Sequence, residues 1–187
     1  CCAEELSKLG ANVILIARNQ ENLDKTIAKL QPGNHRTYKF DISNVEKIND
    51  LLLEVNSDYS NAIDGLIYSA SCANRVRFKD LTKDIIDSVM KVNFFGFVEF
   101  IRSISKQKRR DSSFSAVALS SLASFENTKY FLPYASSKAA LESSIRVMAN
   151  ELRSKNIYVS GIRPAYVDTP FISSNKEMYD DFDEYLK

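Results

Sequence analysis

Residues 132–141 read Leu-Pro-Tyr-Ala-Ser-Ser-Lys-Ala-Ala-Leu, a stretch that places a phenol, Tyr134, four residues before an ammonium group, Lys138. Residues four apart lie on one face of an α-helix, so the two side chains can reach the same small volume. A neighbouring cation favours the phenolate form and makes tyrosine a better proton donor near neutral pH. The spacing therefore predicts a general acid on a helix, although exposed pairs without function share it.

Two further polar positions precede this stretch. Ser121 ends the apolar run 115–121, which is typical of a buried strand, and the carboxyl end of a parallel strand is where open sheets bind ligands. Ser120 is the alternative to Ser121, and only the spacing to Tyr134 favours Ser121. Asn93 lies in the apolar segment 92–96, where a buried amide needs hydrogen-bonding partners. These residue types suit a polar site at a sheet edge.

In their order and spacing, four residues resemble the catalytic tetrad of the short-chain dehydrogenase/reductase family: Asn93, Ser121, Tyr134 and Lys138. The resemblance covers essentially the whole chain. It includes residues 64–71 in place of the family's Asn-Asn-Ala-Gly turn and residues 163–169 in place of its Pro-Gly-x-x-x-Thr segment. Ser69, Ser71 and Ala165 depart from those patterns.

The resemblance implies an oxidoreductase that transfers hydride between a nicotinamide cofactor and a carbonyl or secondary alcohol. Tyr134 would give a proton to the carbonyl oxygen, and Lys138 would support it and bind the nicotinamide ribose. Ser121 would hydrogen-bond the same oxygen. Asn93 would hold a water that links Lys138 to solvent. The first expectation is a reductase of 3-oxoacyl thioesters. The alternatives are a sugar or polyol dehydrogenase of the same family and a non-catalytic NADP-binding scaffold protein.

The cofactor is expected to be NADP, because the predicted strand ending at Ala17 is followed by Arg18 and no acid. An acid at this place would bond the ribose 2′-hydroxyl of NAD, whereas a guanidinium matches the 2′-phosphate of NADP. A solvated arginine at a strand end is the alternative. The resemblance adds further cofactor contacts: Asp41, Ile42, Ala70, Tyr134, Lys138, Pro164, Val167 and Thr169.

Strand and helix patterns alternate along the chain, which is typical of βαβ units on a parallel sheet. The strand patterns cover residues 13–17, 37–40, 65–70, 116–121 and 157–162. With the resemblance, they predict one α/β domain over residues 1–187, a Rossmann-type doubly wound sheet with helices on both faces. We also expect the natural protein to be longer at both ends. The family's first strand and glycine-rich turn would precede Cys2, and related chains usually continue beyond the segment that follows Thr169. Without the first strand, two strand edges are expected to be unpaired.

Composition excludes several classes of function. The net charge of +1 gives no field that favours nucleic acid or anionic lipid, and no apolar run approaches the ~20 residues of a membrane span. His35 is the only histidine, which excludes a Ser/His/Asp hydrolase and a multi-histidine metal site, and we expect no metal. Three cysteines without metal spacing indicate a reducing compartment, the cytoplasm.

The segment 87–108 predicts a helix that is apolar around most of its circumference, and such a helix is covered on all sides. The resemblance implies a homodimer or homotetramer that pairs through the helices at 87–108 and 133–155. A long loop of the same chain is the alternative cover. Residues 74–80 and 171–187 are expected to wall the substrate pocket.

Overall fold

The computed structural model of the chain describes residues 1–59, 63–107, 112–126, 129–165 and 167. The chain divides into two compact units, Cys1–Asn44 and Val45–Lys187, and each contains a parallel sheet. That residues 1–187 form one domain stays a prediction. Within the described ranges, no helix has both the length and the apolar character that a membrane span requires.

The first unit contains α1 (Cys2–Lys8), β1 (Ile14–Ala17), α2 (Gln20–Ile27) and β2 (Arg36–Lys39). Its two strands pair in parallel, with Ile14 opposite Arg36. The side-chain oxygen of Asn19 accepts a hydrogen bond from the backbone N–H of Asn22 at 2.9 Å and caps α2. This cap fixes the path of the chain beyond β1, directly after Arg18.

The second unit contains α3 (Ile48–Asp58), β3 (Gly65–Tyr68), α4 (Lys83–Met90), α5 (Gly96–Gln107), β4 (Phe114–Leu119), α6 (Leu132–Glu151) and β5 (Ile157–Ile162). β4 lies between β3 and β5 and is parallel to both. The three carboxyl ends therefore lie at one edge of the sheet. The described strands thus form two parallel sheets with helices around them, which confirms the α/β class.

The core of the second unit is built around β4. Phe114, Ala116 and Ala118 are fully buried on alternate positions of the strand, whereas Ser115 between them is exposed. The side chains that join them in the core come from the helices and from β5: Ile48, Val55, Phe97, Phe100, Ile101, Leu141 and Ile157. Burying these apolar side chains fixes α3, α5 and α6 on the sheet.

The strand predictions are confirmed in position, with small shifts at the ends. The pattern 157–162 coincides with β5, whereas β3 ends at Tyr68 and β4 ends at Leu119, each two residues before the predicted end. The residues beyond these ends, including Ala70 and Ser121, are therefore loop residues at the sheet edge.

The helix predicted over residues 87–108 is confirmed in position: the chain is helical without a break from Lys83 to Gln107, with a π-helical turn that the sequence did not predict, and residue 108 lies outside the described residues. α4 ends at Met90, a π-helical turn follows over Lys91–Phe95, and α5 begins at Gly96. In this turn the N–H of Gly96 donates to the carbonyl oxygen of Lys91, five residues earlier. The helix expected over 133–155 is α6, which ends at Glu151 and is followed by a short 3₁₀ turn, Arg153–Lys155.

Candidate active site

Polar residues follow two neighbouring strands where these strands end. Ser120 and Ser121 come directly after β4, and Arg163 comes directly after β5. The backbone N–H of Ser120 donates to the carbonyl oxygen of Ile162 at 2.7 Å, which keeps the two strand ends together. The carboxyl ends of parallel strands form the edge where such sheets bind ligands.

Lys138 brings a cation to this edge. Its residue surface is 2% exposed, and its Nζ donates a hydrogen bond to the carbonyl oxygen of Leu119, the last residue of β4, at 2.7 Å. Burial lowers the pKa of Lys138 to about 8, and the nearby Cys72 opposes this shift. The ammonium group therefore still carries its proton at neutral pH.

Tyr134 lies one helical turn before Lys138, in the first turn of α6. The Lys138 Nζ is 5.6 Å from the centre of the Tyr134 ring. The rings of Phe131 and Tyr134 pack edge to face, with their centres 6.3 Å apart. Tyr134 is half-buried, so one side of the ring packs on the protein. The structure thus places the phenol and the ammonium group side by side, as their spacing predicts.

Asn93 is fully buried in the π turn, and its amide is bonded to two other segments. The Nδ2 donates to the carbonyl oxygen of Cys72 at 2.8 Å and to the Oγ of Ser137 at 2.9 Å. The Oδ1 accepts the N–H of Cys72 at 2.8 Å. Both amide N–H groups are therefore used within the protein, and only an acceptor atom of Asn93 can hold a water.

Ser137 connects this amide to α6, the helix that carries Tyr134. Its hydroxyl accepts the bond from Asn93 and donates to the carbonyl oxygen of Tyr134 at 2.7 Å. The loop after β3, the π turn and the start of α6 are thereby joined through one buried network. Asn93 is thus linked to the backbone of Tyr134 through the Ser137 hydroxyl.

We expect Asn93→Ala to lower the free energy of unfolding by about 2 to 5 kcal/mol, because each buried polar group left without a partner costs about 1 to 3 kcal/mol. Denaturant unfolding of the full-length protein measures this loss. Asn44→Ala is the matched control, since Asn44 is exposed and its loss should cost less than about 0.5 kcal/mol. Equal losses for the two variants would contradict a stabilising role for the buried amide.

The two candidate serines differ in their hydrogen bonds. Ser120 is buried, and its hydroxyl donates to the Oε1 of Glu142 at 2.7 Å. The Oγ of Ser121 accepts a bond from the N–H of Ala123 at 3.2 Å, which leaves the hydroxyl proton of Ser121 outside that bond. This difference favours Ser121 as the donor to a substrate oxygen.

The first unit holds three of the predicted cofactor residues. Arg18 is exposed beyond the end of β1, and Asp41 and Ile42 are half-buried beyond the end of β2. Burial raises the pKa of Asp41, but hydrogen bonds from Ser43 and the charge of Arg18 outweigh it, so the pKa lies below its usual value. Asp41 is therefore ionised and lies within electrostatic reach of Arg18.

The remaining predicted cofactor residues follow the strands of the second unit. Ala70 and Pro164 are half-buried beyond β3 and β5, and Val167 is 52% exposed. Thr169 lies outside the described residues, as does the expected pocket wall at 171–187.

Sequence reasoning did not identify several groups that shape this site. The π turn, the carbonyl oxygen of Leu119 and the hydroxyl of Ser137 carry no residue-type signal of their own. Glu142 could have been found, because it lies one helical turn after Lys138 and thus shares its helix face. In the described residues, no cluster of three or more possible metal ligands occurs.

Comparison with known proteins gives one family. The family profile described as short chain dehydrogenase matches residues 1–180. An uncharacterized oxidoreductase of Staphylococcus epidermidis is 27% identical over 168 residues, which cover 90% of this chain and 72% of that protein. The structure of NAD⁺-bound xylitol dehydrogenase has a TM-score of 0.85 at 24% identity, covering 93% of this chain and 68% of that one. A variant of actinorhodin polyketide ketoreductase with NADPH has a TM-score of 0.86 at 24% identity, covering 96% and 70%.

Proposed function

This chain belongs to the short-chain dehydrogenase family, and from that premise we propose that it is an NADP(H)-dependent oxidoreductase acting on a carbonyl or a secondary alcohol. The observation that carries the proposal is the buried Lys138 ammonium group, held by the carbonyl oxygen of Leu119 and placed 5.6 Å from the Tyr134 ring centre. A buried charge is costly for a fold, so its position beside a phenol at a sheet edge indicates chemical use.

The donors at this edge fit a nicotinamide nucleotide. An ammonium group has three N–H donors, and the bond to Leu119 uses one of them, so Lys138 can also bond ribose hydroxyls. When bound, the cofactor supplies or accepts the hydride at the substrate carbon. The residues of the chain then have to bind and orient the substrate and move one proton.

In the reducing direction, the carbonyl carbon gains the hydride and its oxygen takes a proton from the Tyr134 hydroxyl. The positive charge of Lys138 stabilises the phenolate that remains. The Ser121 hydroxyl donates a hydrogen bond to the same oxygen and stabilises the negative charge that develops there. In the oxidising direction, Tyr134 takes the proton from the alcohol as the hydride leaves. Asn93 positions the helix that carries Tyr134, and its acceptor atoms can hold a water near Lys138.

Arg18 supports NADP as the cofactor, and Arg18→Ala is expected to weaken NADPH binding by roughly 1 to 3 kcal/mol, the range of a charge-assisted contact, while NADH binding changes little. Cofactor titration of the full-length protein measures both. Arg36→Ala is the control, because Arg36 is exposed at the opposite end of the same sheet. Equal losses for NADPH and NADH would show that Arg18 does not read the 2′-phosphate.

We propose 3-oxoacyl thioesters as the substrate class. Phe78, within the expected pocket wall 74–80, is 79% exposed, and Phe125, just after the turn that follows Ser121, is 80% exposed. Exposed aromatic rings in an expected pocket wall and close in sequence to Ser121 suit an apolar acyl chain better than a polyol. A turnover screen of the full-length protein with NADPH tests this against sugars, polyols and simple ketones. Absence of turnover with every class would favour the scaffold alternative.

A homodimer or homotetramer is proposed through the helices at 87–108 and 133–155. Phe95 in the π turn is 45% exposed and Val147 on α6 is 57% exposed, so both helices present apolar side chains at the surface. A second copy of the chain would cover such side chains. Light scattering of the full-length protein measures the mass of the assembly.

A further inference from the structure

A carboxylate on α6 joins three segments of the second unit. The Oε1 of Glu142 accepts hydrogen bonds from the hydroxyls of Ser120 at 2.7 Å and Ser124 at 2.8 Å. Arg163, beyond β5, donates from Nε to Oε1 at 2.8 Å and from a terminal nitrogen to Oε2 at 2.5 Å. Glu142 therefore links the chain after β4, the chain after β5 and the helix that carries Tyr134.

The charge of this carboxylate is fixed. The hydrogen bond from Arg163 is the main cause that lowers the pKa of Glu142 to about 2, against the effect of burial, and the side chain is 15% exposed. Glu142 is thus an anion throughout the pH range in which a dehydrogenase works. A charged acceptor makes shorter and stronger hydrogen bonds than a neutral one, so all its partners are held tightly.

The contacts of α6 lie on both sides of Ser121. Lys138 binds the carbonyl oxygen of Leu119, two residues before Ser121. Glu142 binds Ser120, one residue before it, and Ser124, three residues after it. The segment 119–124 is therefore attached to one face of α6 at three points: Leu119, Ser120 and Ser124. The Ser121 side chain itself is bonded to neither Lys138 nor Glu142.

We propose that Glu142 is a positioning residue for the reaction, which holds the Ser121 hydroxyl in register with Tyr134 and Lys138. The inference rests on the proposed function, because it concerns the same site. Glu142 does not contact the reacting atoms in this account. It acts through Ser120 and Ser124, which fix the short turn that carries Ser121.

Glu142→Gln tests the proposal with little change in size. The amide has one oxygen in place of two, and its NH₂ group opposes the donors of Arg163. With the segment less firmly attached, kcat is expected to fall about 10-fold, since even a small misplacement of a catalytic group is costly. The Kd for NADPH should stay within about twofold of the wild type, because Ser121 acts on the substrate oxygen and not on the cofactor. The kcat is calculated per NADPH-binding site, so that only folded protein is counted.

The matched control is Glu99→Gln on α5. Glu99 has the same side-chain exposure, 15%, and its carboxylate binds an arginine, Arg102, and a serine, Ser103. It has no bond to the segment 119–124 among those that the structure describes. Glu99→Gln should therefore cost similar stability but leave kcat within about twofold of the wild type. Equal losses of kcat in both variants would overturn the proposal.

The decisive measurement is a double-mutant cycle with Ser121→Ala. If Glu142 acts through Ser121, Glu142→Gln should lower kcat about 10-fold in the wild type and less than about twofold in the Ser121→Ala background. An equal loss in both backgrounds would show that Glu142 acts elsewhere, and would overturn this inference while the proposed function stands. Full activity of Ser121→Ala would refute both the role of Ser121 and this inference.

Ser124→Ala keeps the proposal testable if Glu142→Gln does not fold. It removes the hydrogen bond from Ser124 to Glu142 and leaves the hydrogen bond from the buried Ser120 unchanged. We expect a fall in kcat of about threefold, again only where Ser121 is present. A threefold fall that persists in Ser121→Ala, or no fall in the wild type, would contradict the positioning role.

Discussion

Tyr134→Phe is expected to reduce turnover of the full-length protein by at least the ~100-fold that a general acid contributes. The substitution removes one oxygen and keeps the ring, so the packing on Phe131 remains. The Kd for NADPH should change little, because only the Tyr134 hydroxyl is lost among the expected cofactor contacts, while Lys138 and the others are intact. Steady-state kinetics with the best substrate of the screen, together with cofactor titration, measure both effects.

Tyr158→Phe is the control for this prediction. Tyr158 lies near the amino end of β5, opposite the edge where the strands end, and it is 48% exposed. Its variant should keep the wild-type turnover. If Tyr134→Phe retained turnover within a few fold of wild type, Tyr134 would not be the proton donor.

Lys138→Met is expected to lower turnover and, by removing a buried charge, to favour folding. Turnover should fall by about 100-fold or more, because the charge that stabilises the phenolate is lost. At the same time, part of the cost of burying a charge disappears. Each pKa unit corresponds to about 1.4 kcal/mol, so the buried ammonium group costs about 3 kcal/mol at neutral pH. The lost hydrogen bond to Leu119 offsets some of that gain.

The pH dependence separates the two contributions to stability. Below about pH 8 Lys138 is charged in both states and its burial cost is complete, whereas above about pH 10.5 it is neutral in both. The unfolded state binds more protons in between, so the wild type gains stability relative to Lys138→Met as the pH rises. Denaturant unfolding from pH 7 to 10.5 measures the change, which Lys155→Met, at an exposed site, should not show. A constant difference between wild type and Lys138→Met would contradict the burial cost.

Local patterns carried enough information to predict the elements of this fold. Four of the five described strands were predicted within about two residues from local residue patterns, since period and composition depend on neighbouring residues alone, and the strand at 37–40 was predicted with the family resemblance. The register of Tyr134 and Lys138 followed in the same way from the period of a helix. The family spacing then indicated which serine and which asparagine to consider.

The contacts between distant segments could not be predicted from these patterns. The π turn depends on how α4 and α5 pack, and no residue type in 91–95 specifies it. The bonds from Asn93 to Cys72 and from Lys138 to Leu119 join residues about 20 positions apart in the chain. Such pairings arise from the tertiary fold, so the sequence indicated that Asn93 needs partners and left their identity open.

The π turn at 91–95 also limits how the length of this chain can vary. A turn of this kind contains one residue more than an α-helical turn, so removing one residue there would let α4 and α5 form a regular helix. Each residue of an α-helix rotates the direction of the side chain by about 100°. The deletion would therefore turn either Asn93 away from Ser137 or the Phe97 face away from the sheet. A point substitution on this helix changes one side chain and leaves the directions of the others unchanged. A single-residue deletion would instead disrupt either the packing of the Phe97 face in the core or the Asn93–Ser137 hydrogen bond in the candidate site.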